Sequence, residues 1–244
     1  MTLENKTIRF LPCGDAAFTM EFGASVDRAT NAKVIALYRR VHARAIPGVI
    51  EMIPTFRSLL VSFDPDLVNP ASLQEKLLEC LDEGGGEVSG GRSWTLPACY
   101  EGEFAPDLAD VAKEAGLSEA EVVKLHAGRP YFVYMIGFLP GFGYMGDVAE
   151  PIRLPRRTHP RTRVPRGSVA IAGEMTAVYS LESPGGWHLL GHTPVPLFDP
   201  EADRPVLLAP GDTVTFEPVG LRDHQLIADD IANGRRILTA GEAA

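Results

Sequence analysis

The sequence predicts an α+β fold in two domains, and three features of the chain lead to that prediction. Apolar residues in the first part recur at helical or alternating spacing, as in regular helices and strands. A glycine-rich stretch, GGGEVSGG at residues 84–91, then interrupts this pattern. Beyond it, 23 of the glycines and prolines, which total 24 and 20, fall between residues 137 and 220. We therefore expect regular α+β packing first, and short strands joined by shaped turns afterwards.

The first domain is expected to contain two strands, a helix, a strand pair and a second helix. The strands are predicted within residues 7–23, 49–53 and 58–63, and the helices at 27–45 and 71–83. Ser72 and Glu75 have the spacing of a capping box for the second helix. This order of elements is compatible with a ferredoxin-like sandwich. We assign the domain to residues 1–84 and a linker to residues 85–92.

The second domain, residues 93–244, is expected to begin with a strand at 93–100. Two helices follow at 107–115 and 118–127, the second of which carries a Ser118/Glu121 capping box. An apolar strand is predicted at 131–138, and β-structure dominates from there to about residue 220.

The composition is typical of a soluble globular protein rather than of a disordered or fibrous one. Of the 244 residues, 45% are hydrophobic and 23% are charged. The formal net charge of −9 disfavours a general nucleic-acid binder, which is usually basic. The most apolar stretch, residues 130–146, is short for a membrane span and is interrupted by Pro140. We expect no nucleic-acid partner and no membrane insertion.

Cysteine usage and the first residues favour a cytoplasmic location. Cys13, Cys80 and Cys99 are odd in number and widely spaced, so they form neither a disulfide framework nor a zinc pattern. Residues 1–6 include an acidic residue and lack the apolar segment of a secretory signal.

A glycine motif at residues 141–146, GFGYMG, matches the spacing of dinucleotide-binding loops. That function also needs a helix immediately afterwards, because the helix N-terminus holds the pyrophosphate. Pro151 and Pro155 follow instead, so we reject the dinucleotide interpretation. The preceding residues, with Pro140, either form a turn that lays Phe142 and Tyr144 over a pocket or form an ordinary packed turn.

Residues 151–170, which we call the arginine-rich segment, hold six arginines and no acidic residue. The planar guanidinium group binds carboxylate or phosphate through two parallel hydrogen bonds. Four prolines stiffen the segment and could pre-place these groups. The segment is therefore either an anion site or a solvated basic loop that pairs with acidic residues of this chain or of a partner subunit.

The histidines and serines indicate no metal centre and no nucleophile. His188 and His192 are four residues apart, but nearby glycines disfavour a helix, and no third ligand is near. Ser168 has no neighbouring base, so its hydroxyl is interpreted as a hydrogen-bonding group. SPGGW at 183–187 is expected to be a tight turn whose Trp187 packs or lines a cleft. No metal ligand is assigned.

Several ordered motifs resemble those of a known family. They are GFLPGF at 137–142, PRR at 155–157, PRTRVP at 160–165, GSV at 167–169 and SPGGW at 183–187, with RFLPCGDAA at 9–17 near the start and PGD at 210–212 near the end. This set resembles the family of the 5-oxoprolinase B subunit, also called the allophanate hydrolase subunit 1 or Kip-type kinase inhibitor family, with carboxyltransferase subdomains C and D. The resemblance extends over nearly the whole chain.

The resemblance implies a ferredoxin-like first domain and a cyclophilin-like β-barrel second domain. It implies a subunit-C-like partner, also called allophanate hydrolase subunit 2, and a LamB/YcsF-type third subunit. Such complexes resemble ATP-dependent 5-oxoprolinases, which open a cyclic amide to glutamate using ATP with magnesium and no covalently bound cofactor. Two alternatives remain open: a carboxyltransferase-type subunit of a urea or allophanate system, with biotin on another chain, and a histidine-kinase inhibitor.

The chain departs from the family pattern in two motifs, GEMTAVYS at 173–180 and GHTP at 191–194, and Ala177 in the first replaces a glycine. Met175 replaces a glutamine and His192 replaces an arginine. We expect both side chains beside the same cleft as Trp187. The catalytic residues cannot be assigned from the sequence. The candidate residues for binding a small amide or carboxylate are Pro140, Phe142, Tyr144, Arg156, Arg157, Arg161, Arg163, Ser168, Met175, Thr176, Tyr179, Gly185, Gly186, Trp187 and His192.

Overall fold

The computed structural model describes residues 8–82 and 91–235 together with the backbone of 241–242. Its chain divides into two compact units, Met1–Ser89 and Gly90–Ala244. Most of the linker expected at 85–92 lies outside the described residues. Among the described residues, no helix is both long enough and apolar enough to cross a membrane.

The N-terminal unit is a four-stranded antiparallel sheet packed with two helices. Its elements are β1 Arg9–Pro12, β2 Ala17–Glu21, α1 Arg28–Arg44, β3 Val49–Pro54, β4 Ser58–Phe63 and α2 Pro70–Asp82. The strands lie in the order β1-β2-β4-β3, with every pair antiparallel. β1 is therefore an edge strand of this sheet, and it pairs with β2, which follows it in the chain.

Alternating and helical apolar spacing places one side of each element in a single core. Leu59 and Val61 of β4 pack with Leu37 of α1 in that core. Asp27 caps α1 by accepting a hydrogen bond from the Thr30 amide at 2.8 Å. The capping box expected for the second helix is wrong, because the helix begins earlier, at Pro70.

The C-terminal unit contains ten strands and three α-helices within the described residues. They are β5 Arg92–Ala98, α3 Leu108–Ala115, α4 Glu119–Ala127, β6 Tyr131–Ile136, β7 Gly143–Gly146, β8 Arg161–Val164, β9 Ser168–Ala172, β10 Met175–Val178, β11 Ser183–Gly185, β12 His188–His192, β13 Thr213–Pro218, α5 Leu221–Ala232 and β14 Gly241–Glu242. Short 3₁₀ turns lie at Gly102–Phe104 and Glu150–Ile152. The capping box of Ser118 and Glu121 at α4 is confirmed, whereas α5 was not anticipated from the sequence.

Eight of these strands form one curled sheet, in the order β12-β9-β10-β7-β6-β13-β5-β14. Cys99, just after β5, exchanges two backbone hydrogen bonds of 2.8 and 2.9 Å with His192 of β12. These residues belong to opposite sides of the strand order, so the sheet curls into a half-barrel. The motif at 141–146 forms β7 rather than a loop before a helix, which agrees with rejecting a dinucleotide site.

The curled sheet has a separate apolar core on each face. In β9, Val169 and Ile171 belong to the large core shared with α3 and α4, whereas Ala170 and Ala172 belong to a smaller, aromatic core. Because successive strand residues point to opposite faces, β9 separates the two cores. β8 and β11 form a two-stranded sheet of their own, which carries Val164 into the aromatic core.

Candidate functional site

A cavity of about 350 Å³ opens beside the aromatic core of the C-terminal unit, and we call it the aromatic cavity. The volume lies within the range usual for small-molecule sites. Its lining combines five aromatic side chains, one arginine and a proline- and glycine-rich rim: Phe138, Phe142, Tyr144, Arg156, Pro160, Tyr179, Pro184, Gly185, Gly186 and Trp187.

The aromatic rings lock one another in place around Phe142. Phe142 is nearly fully buried and lies edge-to-face with Tyr144, Tyr179 and Trp187, at centroid distances of 5.0, 5.3 and 5.7 Å. Edge-to-face pairs are favourable because the positive ring edge meets the negative ring face. The wall of the cavity is therefore preorganised and apolar.

A strained turn places one further aromatic ring at the mouth. Phe138 adopts a left-handed backbone with φ of 67° and is 62% exposed. Gly141, with φ of 77°, closes the turn, where a Cβ would come within 2.7 Å of the Leu197 carbonyl oxygen. Non-glycine residues with positive φ are uncommon and concentrate at functional sites. Pro140 lies exposed in this turn and does not line the cavity.

Two tyrosine hydroxyls supply polarity to the cavity. Burial raises the pKa of Tyr179, and a backbone hydrogen bond from Trp187 partly offsets the rise. Burial likewise raises the pKa of Tyr144, against the nearby positive charge of Arg156. Both phenols therefore stay protonated at neutral pH and can donate hydrogen bonds. Gly185 is required beside Tyr179, because a Cβ there would overlap the hydroxyl.

Arg156 is the cation of the aromatic cavity. Its five neighbours in the arginine-rich segment each have a partner: Arg153 binds Glu174, Arg157 and Arg161 bind Asp107, Arg163 binds Glu182, and Arg166 donates to the Phe198 carbonyl. Arg156 has no ion pair or hydrogen bond with any residue of the described ranges and is exposed. It is therefore available to an anionic ligand.

Arg157 and Arg161 form part of a clasp around a buried carboxylate of this chain. The Asp107 carboxylate is 1% exposed and accepts hydrogen bonds from Arg157 at 2.7 Å and from Arg161 at 2.7 and 2.9 Å. It also accepts from the Leu189 amide of β12 at 2.7 Å. The clasp ties the segment before α3 to β12 and to the arginine-rich segment. Arg163 forms an exposed ion pair with Glu182 and does not line the aromatic cavity.

Thr176 belongs to a buried polar chain within the curled sheet and does not line the aromatic cavity. Its hydroxyl donates to the Ala170 carbonyl at 3.0 Å, so it accepts from Nε2–H of His126 at 2.9 Å. Nδ1 of His126 then accepts from the Tyr100 hydroxyl at 2.8 Å. Burial lowers the pKa of His126 to about 3, which keeps the ring neutral. No motif of the sequence marks His126, because its partners are distant along the chain.

His192 lies in a different cluster from the aromatic cavity, so the expectation of a shared cleft with Trp187 is wrong for it. Its Nε2–H donates to the Arg166 carbonyl at 2.9 Å, and its Nδ1 lies 2.9 Å from Nε2 of His224. Phe104 stacks on the imidazole of His192 and lies tilted against that of His224. Burial lowers the pKa of His192 and of His224. A neutral pair is stabilised in this way.

The remaining candidates divide between the aromatic core and the sheet. Met175 is partly buried and packs against the core that contains Trp187, without lining the cavity. Ser168 is buried in β9, opposite His192 in the strand register. Gly186 lines the cavity, and its carbonyl accepts from the Arg157 amide at 2.8 Å. No group of three potential metal ligands occurs among the described residues.

Comparison with known proteins gives consistent results. The family model for the carboxyltransferase domain, subdomain C and D, matches residues 8–208. The B subunit of the Bacillus subtilis 5-oxoprolinase is 38% identical over 89% of this chain and 95% of its own length. The B subunit of the Escherichia coli O157:H7 5-oxoprolinase is 42% identical over 84% of this chain and 93% of its own length. The urea amidolyase of Saccharomyces cerevisiae is 25% identical over 91% of this chain, which spans 14% of that protein.

Solved structures share the same fold. The crystal structure of TTHA0988 matches 83% of this chain with a TM-score of 0.76 and 38% identity, and this chain spans 40% of that protein. The K. lactis urea amidolyase matches 97% of this chain with a TM-score of 0.79 at 23% identity, a likeness of fold alone, and this chain spans 16% of it. With the family model matched over residues 8–208, the chain belongs to the carboxyltransferase domain family, subdomain C and D.

Proposed function

We propose that this chain is the B subunit of a heteromeric 5-oxoprolinase that opens 5-oxoproline to glutamate at the expense of ATP. The observation that carries the proposal is the similarity to 5-oxoprolinase B subunits along nearly their whole length, 95% in one case and 93% in another. The same subunit from two different organisms would be expected to match over nearly its whole length in this way.

The chemistry of the aromatic cavity supports a small cyclic amide that bears a carboxylate. Phe142 and Trp187 provide apolar walls for the ring. Arg156 can bind the carboxylate through its planar fork of donors. The hydroxyls of Tyr144 and Tyr179 can donate to the amide carbonyl, because both are kept protonated. We assign these residues, with the glycines of the rim, to substrate binding.

The reaction needs an activating group, since a lactam carbonyl is a poor electrophile. ATP with magnesium would supply a phosphoryl group for the amide oxygen, which turns that oxygen into a leaving group. Arg156 also lines a neighbouring groove, together with Asp110, Lys113 and Glu114 of α3. Carboxylates and cationic side chains of this kind are compatible with a magnesium nucleotide. This chain's own residues bind and orient the ring.

The proposal includes two partners, a subunit-C-like protein and a LamB/YcsF-type third subunit, in the cytoplasm. The relatives are named as one subunit of 5-oxoprolinase, which supports a multi-subunit assembly. We further propose that residues 1–84 form a ferredoxin-like domain and residues 93–244 a cyclophilin-like barrel. The strand order β1-β2-β4-β3 and the curled sheet support these two classifications.

A second candidate function is a carboxyltransferase-type subunit for a urea or allophanate substrate. The likeness to urea amidolyase, which extends over 91% of this chain, favours it. The carboxyl donor would then be carboxybiotin carried by another chain.

The decisive experiment reconstitutes the chain with its two proposed partners and measures glutamate and ADP formed from 5-oxoproline and ATP. We expect turnover by the complete complex and none by this chain alone. Arg156→Gln should raise the KM for 5-oxoproline by about 10- to 100-fold, as loss of a charged hydrogen-bond pair usually does. Arg163→Gln, in the same segment but at an exposed ion pair, is the matched control.

Two results would contradict the proposal. One is a complete complex that consumes ATP with urea and bicarbonate in the presence of a biotin carboxylase but leaves 5-oxoproline unchanged. The other is robust turnover of 5-oxoproline by this chain without partners.

A further inference from the structure

The backbone on both sides of Arg156 is held by the chain that leads into β12. On the N-terminal side, Nε2–H of His188 donates to the Pro155 carbonyl at 2.9 Å. On the C-terminal side, the Arg157 amide donates to the Gly186 carbonyl at 2.8 Å. Arg156 lies between these two contacts, and its exposed side chain is the cation of the aromatic cavity. The residue that carries this cation is therefore fixed from both sides.

The chain that holds Arg156 also carries a wall of the aromatic cavity. Trp187 lies between Gly186 and His188 in the sequence. Its buried indole packs edge-to-face with Phe142 at a centroid distance of 5.7 Å. Because the two neighbours of Trp187 hold the backbone around Arg156, the cation and the aromatic wall keep a fixed relation to each other.

A fixed backbone matters for Arg156 because its side chain is long and flexible. Its positive charge lowers the pKa of Tyr144 and of Tyr179, although burial raises both pKa values more strongly. The charge therefore lies close to the two hydroxyls that supply polarity to the cavity. A ligand that meets both the cation and the hydroxyls needs all three groups in register, and small misplacements of such groups weaken binding.

His188 contributes little to the stability of the fold. A carbonyl oxygen only accepts, so Nε2 carries the proton in the contact with Pro155. The other ring nitrogen, Nδ1, is buried and has no hydrogen-bond partner in the part of the chain that the structure describes. The gain from one neutral hydrogen bond is offset by the cost of an unpaired buried nitrogen. The main effect of the ring is therefore to fix where the Pro155 carbonyl lies.

We propose that His188 is a positioning residue of the aromatic cavity. It holds the Pro155 carbonyl and thereby places the guanidinium of Arg156 against the carboxylate of the ligand. The ring of His188 does not itself line the aromatic cavity, so it acts through Arg156. This inference rests on the proposed function, because it takes 5-oxoproline as the ligand whose carboxylate Arg156 binds.

The test measures KM and kcat of the reconstituted complex for 5-oxoproline. His188→Ala should raise KM by about 5- to 10-fold and change kcat by less than about twofold, since binding of the carboxylate is what weakens. His188→Gln keeps an N–H donor at the position of Nε2 and should hold KM within about twofold of the unaltered complex. His159→Ala is the matched control, because His159 is an exposed histidine of the arginine-rich segment that bonds to its neighbour Thr158.

A double-mutant cycle shows whether His188 acts through Arg156. In the Arg156→Gln background, His188→Ala should change KM by less than about twofold, because the group that His188 positions is gone. Equal increases in both backgrounds overturn the proposal, since His188 then affects the site by another route. The proposal is also overturned if His188→Gln raises KM as much as His188→Ala does.

Hydrogen exchange measures the contact without ligand or reaction. In the full chain without partners, His188→Ala should speed exchange of the Arg157 amide by about 5-fold, because that amide then belongs to a less firmly held segment. Exchange of peptides from the N-terminal unit should stay the same. Unchanged exchange at Arg157 would show that His188 does not hold this segment, and the proposal would fail.

Binding without turnover separates this proposal from the proposed function. Isothermal titration of the complex with 5-oxoproline, in the absence of ATP, gives the affinity of the cavity directly. If His188→Ala weakens this binding through Arg156 but the complex leaves 5-oxoproline intact with ATP, the positioning role stands and the proposed reaction fails. If the complex turns over and His188→Ala leaves KM unchanged, the positioning role fails alone. A complex that neither binds nor consumes 5-oxoproline overturns both.

Discussion

The two units are stabilised by different kinds of interior. The core of the N-terminal unit consists of aliphatic and aromatic side chains, and its buried polar side chains are Glu21 and Asn31 among the described residues. The C-terminal unit buries many more, including Asp107, His126 and Asp212. Each of these three accepts or donates several hydrogen bonds across segments that are far apart in sequence.

Asp212 shows how such a residue organises the C-terminal unit. Its carboxylate accepts from the Arg92 amide and guanidinium, from the indole nitrogen of Trp94 and from the Ala209 amide, all between 2.7 and 2.9 Å. It thereby joins β5 to the turn before β13. A segment rich in glycine and proline forms few long helices or strands. Buried side chains with several hydrogen bonds therefore hold its short strands and loops in place.

The largest expected effect tests the clasp directly. Asp107→Asn removes the charge that neutralises Arg157 and Arg161 and should destabilise the C-terminal unit by about 3–5 kcal/mol. Hydrogen exchange of peptides from each unit during denaturant unfolding measures this, and the N-terminal unit should be unaffected. Arg163→Ala, at an exposed pair, is the control and should cost less than about 1 kcal/mol. A loss as small as the control's would show that the clasp does not hold the unit together.

The N-terminal unit should respond instead to loss of apolar volume. Leu37→Ala in α1 empties a fully buried position and should cost about 3 kcal/mol in that unit alone. The same peptide-resolved unfolding experiment measures it. Leu226→Ala on the exposed surface of α5 is the control, with little change expected. An equal loss in both units would contradict the distinction between the two interiors.

Mild acid should weaken the units unequally. The pKa of His126 is about 3 in the folded protein against an ordinary value of 6.5, so the unfolded chain takes up the proton first. The contribution of neutral His126 to the free energy of unfolding is therefore fully present above pH 6.5. It is lost as the pH falls towards 3, and the loss at pH 5 is about 2 kcal/mol. His192 and His224, whose pKa values are also lowered, add to the loss in the same direction.

The N-terminal unit should lose stability only at lower pH. Among its described residues, the groups with a shifted pKa are Glu21 and Asp27. Both pKa values are lowered, so the contribution of these groups to stability remains until the pH falls below about 4.5. Unfolding of each unit between about pH 7 and pH 5 measures the difference, and His126→Gln should flatten the slope of the C-terminal unit. Parallel curves for the two units would argue against the buried histidines as the cause.

The smallest effect should be the same in both units. Asp27→Ala removes the N-cap of α1 and Ser118→Ala removes that of α4, and each should cost about 1 kcal/mol. Thermal unfolding with peptide-resolved exchange locates each loss in its own unit. If removal of the N-cap lowers the unfolding free energy in one unit only, then N-caps contribute differently to the stability of the two units.

Local patterns predicted the elements well where a short stretch of chain contains the cause. Alternation in β4 and the helical spacing of Val34, Leu37 and Val41 follow from burial of one face, and the structure buries these residues. The second helix begins earlier than expected because Asn69, just before it, accepts from the Ala71 amide. α5 was missed, since it carries exposed leucines and only two buried residues.

The sequence by itself determined the family, the α+β class, and the concentration of arginines and aromatic residues near the candidate site. Only the tertiary structure decided which arginine is available to a ligand. Arg157 and Arg161 donate hydrogen bonds to an aspartate 50 and 54 residues away, and Thr176 is hydrogen-bonded to a histidine 50 residues away. A buried charge or polar group must find its partner in space. That partner is set by how the sheet curls, a long-range property that the spacing of residues along the chain does not contain.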